Sequence, residues 1–233
     1  LDHGHIVRCY GWAAPAQSKA FRRQFATSRS AVPPLPPPVW VVLELMDGGG
    51  LDEYLRSWTK AKGEPIPESW CVRWAAQVAS ALAHMHGMDV VHRDIAARNI
   101  VLQLPSDGHG GPPTAKVTDF GLSRAAKRHG AAGGSKRREV SYYATVDAKT
   151  GNLRQAIPIP WTAPECLGMS KAKDGHDVVR ASTGNDVWAW GVLLWEITSG
   201  GQRPYRDAAL GPGGVLEHVR AGGRLAVPDG APV

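Results

Sequence analysis

His92-Arg93-Asp94-Ile95-Ala96-Ala97-Arg98-Asn99 is a polar run set between two apolar segments. Ahead of it, residues 68–86 place Cys71, Trp74, Ala75, Val78, Leu82 and Met85 along one face of a helix. Glu68 suits the first turn of that helix, and Gly87 is placed to stop it. Behind the run comes Ile100-Val101-Leu102, a triplet that reads as a strand, and farther on Lys116-Val117-Thr118-Asp119-Phe120-Gly121. An Asp able to accept a hydroxyl proton, an Asn, and a second Asp at a strand–loop junction make a set of hard oxygen ligands. Magnesium takes few such ligands and keeps water and phosphate oxygens for the rest. Phosphoryl transfer asks a protein mainly for positioning and for neutralisation of developing charge.

The flanking sequence supplies the frame. Residues 5–11 and 39–46 are rich in β-branched and aromatic side chains and read as short strands. Between them runs a basic, Ser/Ala-rich stretch ending in Pro33-Pro34-Leu35-Pro36-Pro37-Pro38. That run favours polyproline II and cannot join a central strand, so 12–38 reads as a stiff surface insertion. With Arg29 as flanking charge, 33–38 is also a candidate ligand for a proline-reading domain. Residues 186–199 are apolar on nearly every face, and such a helix belongs in an interior. The Gly/Pro-rich or charged stretches 105–115, 126–139 and 170–184 read as loops.

Composition narrows the class. With 43% apolar and 21% charged residues in 233, the chain can bury a sizeable core. Nine tryptophans point to large buried surfaces. A formal charge of +6 suits acidic or phosphorylated partners and suits a chain without any; nothing in the sequence marks a nucleic-acid partner. Three widely spaced cysteines, Cys9, Cys71 and Cys166, argue against a disulfide framework or a zinc site and fit the cytoplasm. The apolar stretches Val39–Met46 and Val187–Ile197 are too short to span a membrane and carry Glu44 and Glu196.

His92–Asn99 with Asp119-Phe120-Gly121 resembles the signature set of the protein kinase family. The run resembles the tyrosine-specific catalytic loop; serine/threonine kinases usually carry Lys two residues after the Asp. Pro158–Glu165 is similar to the end of the activation segment in tyrosine kinases. Asp186–Ile197 resembles the central helix of the larger lobe, Gly201–Tyr205 the loop after it, and 215–219 with Gly222–Pro228 the following helix and turn. The resemblance implies an α+β, bilobal kinase fold. It assigns 1–46 to the last strands of the smaller lobe and the hinge, and 47–233 to the helical larger lobe.

It implies ATP and Mg²⁺ as cofactors and a protein carrying an acceptor tyrosine as substrate. Asp94 is implied as the base, Arg98 as its aligning partner, and Asn99 and Asp119 as magnesium ligands. Leu43, Glu44, Met46 and Val101 are implied around adenine. His92, Phe120 and Cys9 fall in an apolar stack, and Asp186 beneath the catalytic loop. His92 itself reads as a core histidine rather than a base, and Glu165 as a structural ion-pair partner. Arg93 implies control by phosphorylation, with Tyr142 and Tyr143 the candidate sites.

The resemblance is incomplete. The Gly-rich loop, the strand Lys and the helix Glu that clamp ATP phosphates would lie ahead of Leu1, and Gly48-Gly49-Gly50 is not that loop, since it follows the hinge. The chain therefore reads as a fragment, cut at both ends and of little activity by itself. Pro160 stands where tyrosine kinases usually carry a basic residue. A non-catalytic scaffold is the alternative reading, and serine/threonine or dual specificity a further one.

Overall fold

The computed structural model describes residues 1–13, 40–106, 110–125, 127–128, 138–143, 158–166, 170–171, 177–206, 212–228 and 231. The Pro-rich run 33–38 lies outside the described residues, as does most of the segment between Asp119-Phe120-Gly121 and Pro158. The chain divides into two units, Val7–Leu45 on one side and Leu1–Ile6 with Met46–Val233 on the other.

The smaller unit is a hairpin. β1 (Cys9–Ala13) pairs antiparallel with β2 (Trp40–Leu43), with a bulge between Cys9 and Gly11. Both are shorter than the strands read from sequence, and their aromatic residues face solvent: Trp12 is 72% exposed. Glu44 closes the hairpin base, its N–H donating to Arg8 O at 2.8 Å while its Oε2 accepts from Arg8 N–H at 3.1 Å.

The larger unit is mainly helical. α1 (Leu51–Lys62) begins after the Gly48-Gly49-Gly50 run, with Asp52 and Glu53 in its first turn and Lys60 and Lys62 in its last, as the helix dipole favours. Gly63, at φ 67°, ends it in the left-handed conformation that glycine adopts without strain. Gly48 lies flat on β4 (Ile100–Gln103). Its N–H donates to Leu102 O at 2.9 Å, and a Cβ there would sit 2.8 Å from that oxygen. α2 (Glu68–Gly87) buries Cys71, Trp74, Val78, Ala81, Leu82 and Met85, the face expected from the spacing.

β3 (Val90–Val91) leads into the polar run, which ends in a single 3₁₀ turn at Ala97–Asn99 before β4. β5 (Thr114–Val117) pairs antiparallel with β4, bringing Val117 opposite Ile100. β6 (Arg124–Ala125) pairs with β3. Residues 126–139 and 170–184, read as loops, contribute strands instead. β7 (Lys127–Arg128), β8 (Arg138–Tyr143), β9 (Ser170–Lys171) and β10 (Asp177–Ser182) form one sheet in the order β7-β8-β10-β9. Val178 and Val179 give β10 its β-branched centre, which their polar neighbours disguise in the sequence. Thr114 and Ala115, at the edge of another expected loop, are likewise strand.

α3 (Thr183–Thr198) runs beside α2; Trp190 Nε1 of α3 donates to Ala75 O at 3.1 Å. Its interior face holds Ala189, Val192, Leu193 and Ile197 among the core. It is not buried all round, however: Val187 is 57% exposed, and a cavity of about 550 Å³ opens along Trp188, Val192 and Trp195. α4 (Pro212–Arg220) packs Val215 and Val219 against Tyr205. Trp74 is wholly buried and satisfied, its Nε1 donating to Pro113 O at 2.8 Å, and Tyr54, Trp58 and Trp70 extend an aromatic ladder from it. Cys71 and Cys166 are buried thiols and Cys9 an exposed one.

Candidate active site

The chain between β3 and β4 is held from below by one carboxylate. Asp186, in the first turn of α3 and wholly buried, accepts from the backbone N–H of His92 at 2.8 Å and of Arg93 at 2.7 Å. His86 of α2 pairs with it at 2.9 Å. A buried carboxylate costs several kcal/mol unless its lone pairs are met, and three donors meet them here. Arg93 takes φ 74°, a conformation a non-glycine residue holds only where surrounding bonds fix it, and the bond from its own N–H to Asp186 is one of these.

On that base Asp94, Arg98 and Asn99 converge. Arg98 Nη2 donates to Asp94 Oδ1, and Asn99 Nδ2 donates to both Asp94 Oδ2 and the Asp94 carbonyl, each at 2.7 Å. The Asp94 side chain keeps 13% of its surface exposed, so the carboxylate is fixed yet reachable. The 3₁₀ turn does the positioning. It folds Arg98 and Asn99 back over Asp94, which an extended chain could not.

A second buried carboxylate supports the turn. Glu196 Oε2 accepts from Ala97 N–H and from Trp161 Nε1, each at 2.9 Å. The Arg98 guanidinium lies over the Trp161 ring at 4.5 Å, a cation–π contact. Burial pushes the Glu196 pKa above the usual carboxylate range, against the pull of the Trp161 and Ala97 hydrogen bonds and the nearby Arg98 charge. Asn185 of α3 extends the same support, its Oδ1 accepting from Ala163 N–H at 3.1 Å.

His92 belongs to the frame. Its Nδ1 accepts from Asp94 N–H at 3.3 Å, which puts the ring proton on Nε2, 3.0 Å from the Thr118 carbonyl. Burial pushes its pKa below the ordinary 6.5, against the pull of Asp186 and the Thr118 carbonyl, so the ring is a neutral strut. Phe120 packs edge-on against it at 5.2 Å.

Thr118 N–H donates to Asn99 O at 3.0 Å and so ties the loop after β5 to the catalytic turn. Asp119, next in the chain, takes φ 59° and accepts from Gly121 N–H at 3.1 Å through Oδ1. It is exposed. Both Asn99 side-chain hydrogen bonds leave from Nδ2, so its amide oxygen lies on the other side of the group. One amide oxygen and one exposed carboxylate suit magnesium, which fills its remaining positions with water and phosphate. Among the described residues no three His, Cys, Asp or Glu side chains cluster as a metal site of their own.

The remaining expected residues fall in several elements. Leu43 and Glu44 lie in the hairpin unit, with Cys9; Met46 and Val101 lie in the larger unit. Val101 stands in β4 opposite Lys116. Tyr142 and Tyr143 are in β8, opposite Val179 and Val178. Glu165 is exposed at the end of the Pro158–Glu165 stretch. Sequence reading assigned no role at the site to Glu196, Trp161 or His86. A lone Glu in an apolar helix was the available signal, since a buried charge implies partners.

The sequence profile described as protein tyrosine and serine/threonine kinase matches residues 1–233. The chain belongs to that family. It is 35% identical over 195 residues to tyrosine protein-kinase src-1 of Caenorhabditis elegans, covering 84% of this chain and 30% of that protein. It is 34% identical over 196 residues to tyrosine-protein kinase Abl of Drosophila melanogaster, covering 84% of this chain and 10% of that one. A third relative, 33% identical over 195 residues, is the inactive tyrosine-protein kinase kin-32 of Caenorhabditis elegans, with 84% of this chain and 18% of that protein covered. The chain thus spans under a third of the length of each of these relatives.

Proposed function

We propose that this chain is the catalytic part of a protein tyrosine kinase, which moves the γ-phosphoryl group of ATP to a tyrosine hydroxyl of a protein substrate. The observation that carries the reading is the Asp94 carboxylate, fixed by Arg98 and Asn99 on a loop anchored by Asp186. Asp94 accepts the phenolic proton as the new P–O bond forms and the bond to the ADP oxygen breaks. Arg98 holds the carboxylate in line while Trp161, itself bonded to Glu196, stacks under Arg98. Asn99 and Asp119 would hold Mg²⁺, which would supply neutralisation of charge on the phosphates. Leu43, Glu44, Met46 and Val101 border the adenine. Residues 1–46 then carry the last strands of the smaller lobe and the hinge, and 47–233 the larger lobe.

The three free thiols fit a reducing, cytoplasmic setting, and among the described residues no helix is long and apolar enough to cross a membrane. Phosphorylation at Tyr142 or Tyr143 is the proposed control, and 33–38 a candidate ligand for a proline-reading domain.

A second reading is a scaffold without catalysis, for which the inactive relative is the precedent. Phosphoamino-acid analysis of acceptor protein treated with the full-length gene product, Mg²⁺ and labelled ATP decides among the readings. Label in phosphotyrosine is expected. Label confined to phosphoserine or phosphothreonine overturns the specificity, and no label with no nucleotide binding favours the scaffold.

A further inference from the structure

Away from the site just described, a second group of titratable side chains gathers in the larger unit, on α2 and the segment ahead of β1. His3 stacks on His84 at 5.0 Å between ring centroids, and His5 meets His3 edge-on at 5.6 Å. His84 lies in the last turn of α2, whereas His3 and His5 lie on the segment that runs into β1. Few bonds hold that segment down. His3 Nε2 pairs with Ser80 Oγ of α2 at 3.2 Å, and Val117 N–H of β5 donates to His5 O at 2.9 Å. Ile6, 2% exposed, bridges to Val117.

The bonding fixes one protonation state. His5 N–H donates to His3 Nδ1 at 3.1 Å, so neutral His3 carries its proton on Nε2 and donates it to Ser80. A second proton on His3 would go to Nδ1 and set two donors face to face, breaking the bond from His5. His5 Nδ1 is buried without a hydrogen-bond partner among the described residues, so a proton arriving there finds no acceptor.

We propose that His3, His5 and His84 form a pH-operated latch, in which proton uptake by His3 or His5 releases the Leu1–Ile6 segment from α2 and β5. The surroundings work in that direction. Burial, then the like charge available on His84, pushes the His3 pKa below 6.5. Burial does the same to His5; a hydrogen bond to the Ala115 backbone opposes it, and His3, Lys116 of β5 and Arg73 of α2 add to it. Asp2 on the segment itself is exposed. The docked state therefore binds fewer protons than the released one. The latch holds above the ordinary imidazole value of about 6.5 and loosens as the pH falls through it toward the lower docked values.

The test reads two sites in the intact chain. Histidine resonances give the titration of His3 and His5. Amide exchange at Val117, corrected for intrinsic rate and referred to Leu193 in α3, gives the latch opening. His3 and His5 should titrate below about 6.5, and Val117 protection relative to Leu193 should fall more than about threefold between roughly pH 7.5 and 5.5. A His3→Gln, His5→Asn double variant should lose that pH dependence. Titration of both histidines at or above about 6.5, or Val117 protection that stays level with Leu193, overturns the latch. Should the double variant fail to fold, those two measurements on the unaltered chain decide the matter.

Discussion

Glu196 is the residue on which the site's rigidity turns, although it touches no reacting atom. One of its oxygens accepts from the turn that carries Arg98 and from the ring on which Arg98 stacks. Glu196→Ala leaves both donors buried and unmet, at about 1–3 kcal/mol each. Glu196→Gln keeps an acceptor oxygen and should lose less than half as much; urea midpoints of the two variants measure the difference. An equal loss in both would assign the cost to packing rather than to the hydrogen bonds. The meeting of Asp94, Arg98 and Asn99 was legible in the sequence because their spacing is local, within one turn. Glu196 and Trp161 were not, because each meets the catalytic turn only after α3 and the 3₁₀ turn at Ile159–Trp161 are packed beneath it. The apolar run marked where α3 lies without indicating which face the carboxylate takes.

At the scale of elements, α2 followed from apolar periodicity and α3 from a run apolar on nearly every face, and their observed bounds differ from the reading by a few residues at most. The short strands did not. β10 pairs with β8 across a long stretch of sequence, and its register from Val178↔Tyr143 to Ser182↔Glu139 involves backbone bonds that no local composition records. Read locally, Gly, Lys and Asp around it signal a loop. The glycine run before α1 carries a related hidden demand. Gly48 is tight against Leu102 rather than flexible, with a Cβ due to fall 2.9 Å from the Leu102 Cβ. Gly48→Ala should therefore cost about 1–3 kcal/mol by overpacking, visible as a lower melting temperature. A variant with unchanged melting would show that β4 yields there at no cost.

Over the whole molecule, buried ionisable groups set how stability depends on pH. His3, His5 and His92 all have pKa values held below 6.5, each chiefly by burial. The unfolded chain binds more protons than the folded one as the pH falls through 6.5, so their contribution is complete above that value and lost below it. Glu196 acts oppositely. Its raised pKa favours the folded state at low pH, and that contribution fades as the pH climbs above 4.5 toward the raised value. The melting temperature should accordingly rise from about pH 5.5 to about pH 7.5, and more steeply in Glu196→Gln, which lacks the opposing group. A flat profile in both proteins would mean that these side chains are solvated.

The central claim is that Asp94 is the base of a tyrosine kinase, and it is tested most directly by comparing turnover of the full-length gene product with that of its Asp94→Asn variant. Both would receive Mg²⁺, labelled ATP and a tyrosine-containing polymer. The unaltered protein should turn over in the ordinary kinase range of about 1–100 s⁻¹. The variant, whose amide cannot take the proton, should fall by about 10²–10⁴ while its melting temperature stays close to that of the parent. Equal turnover in the two proteins would contradict the account.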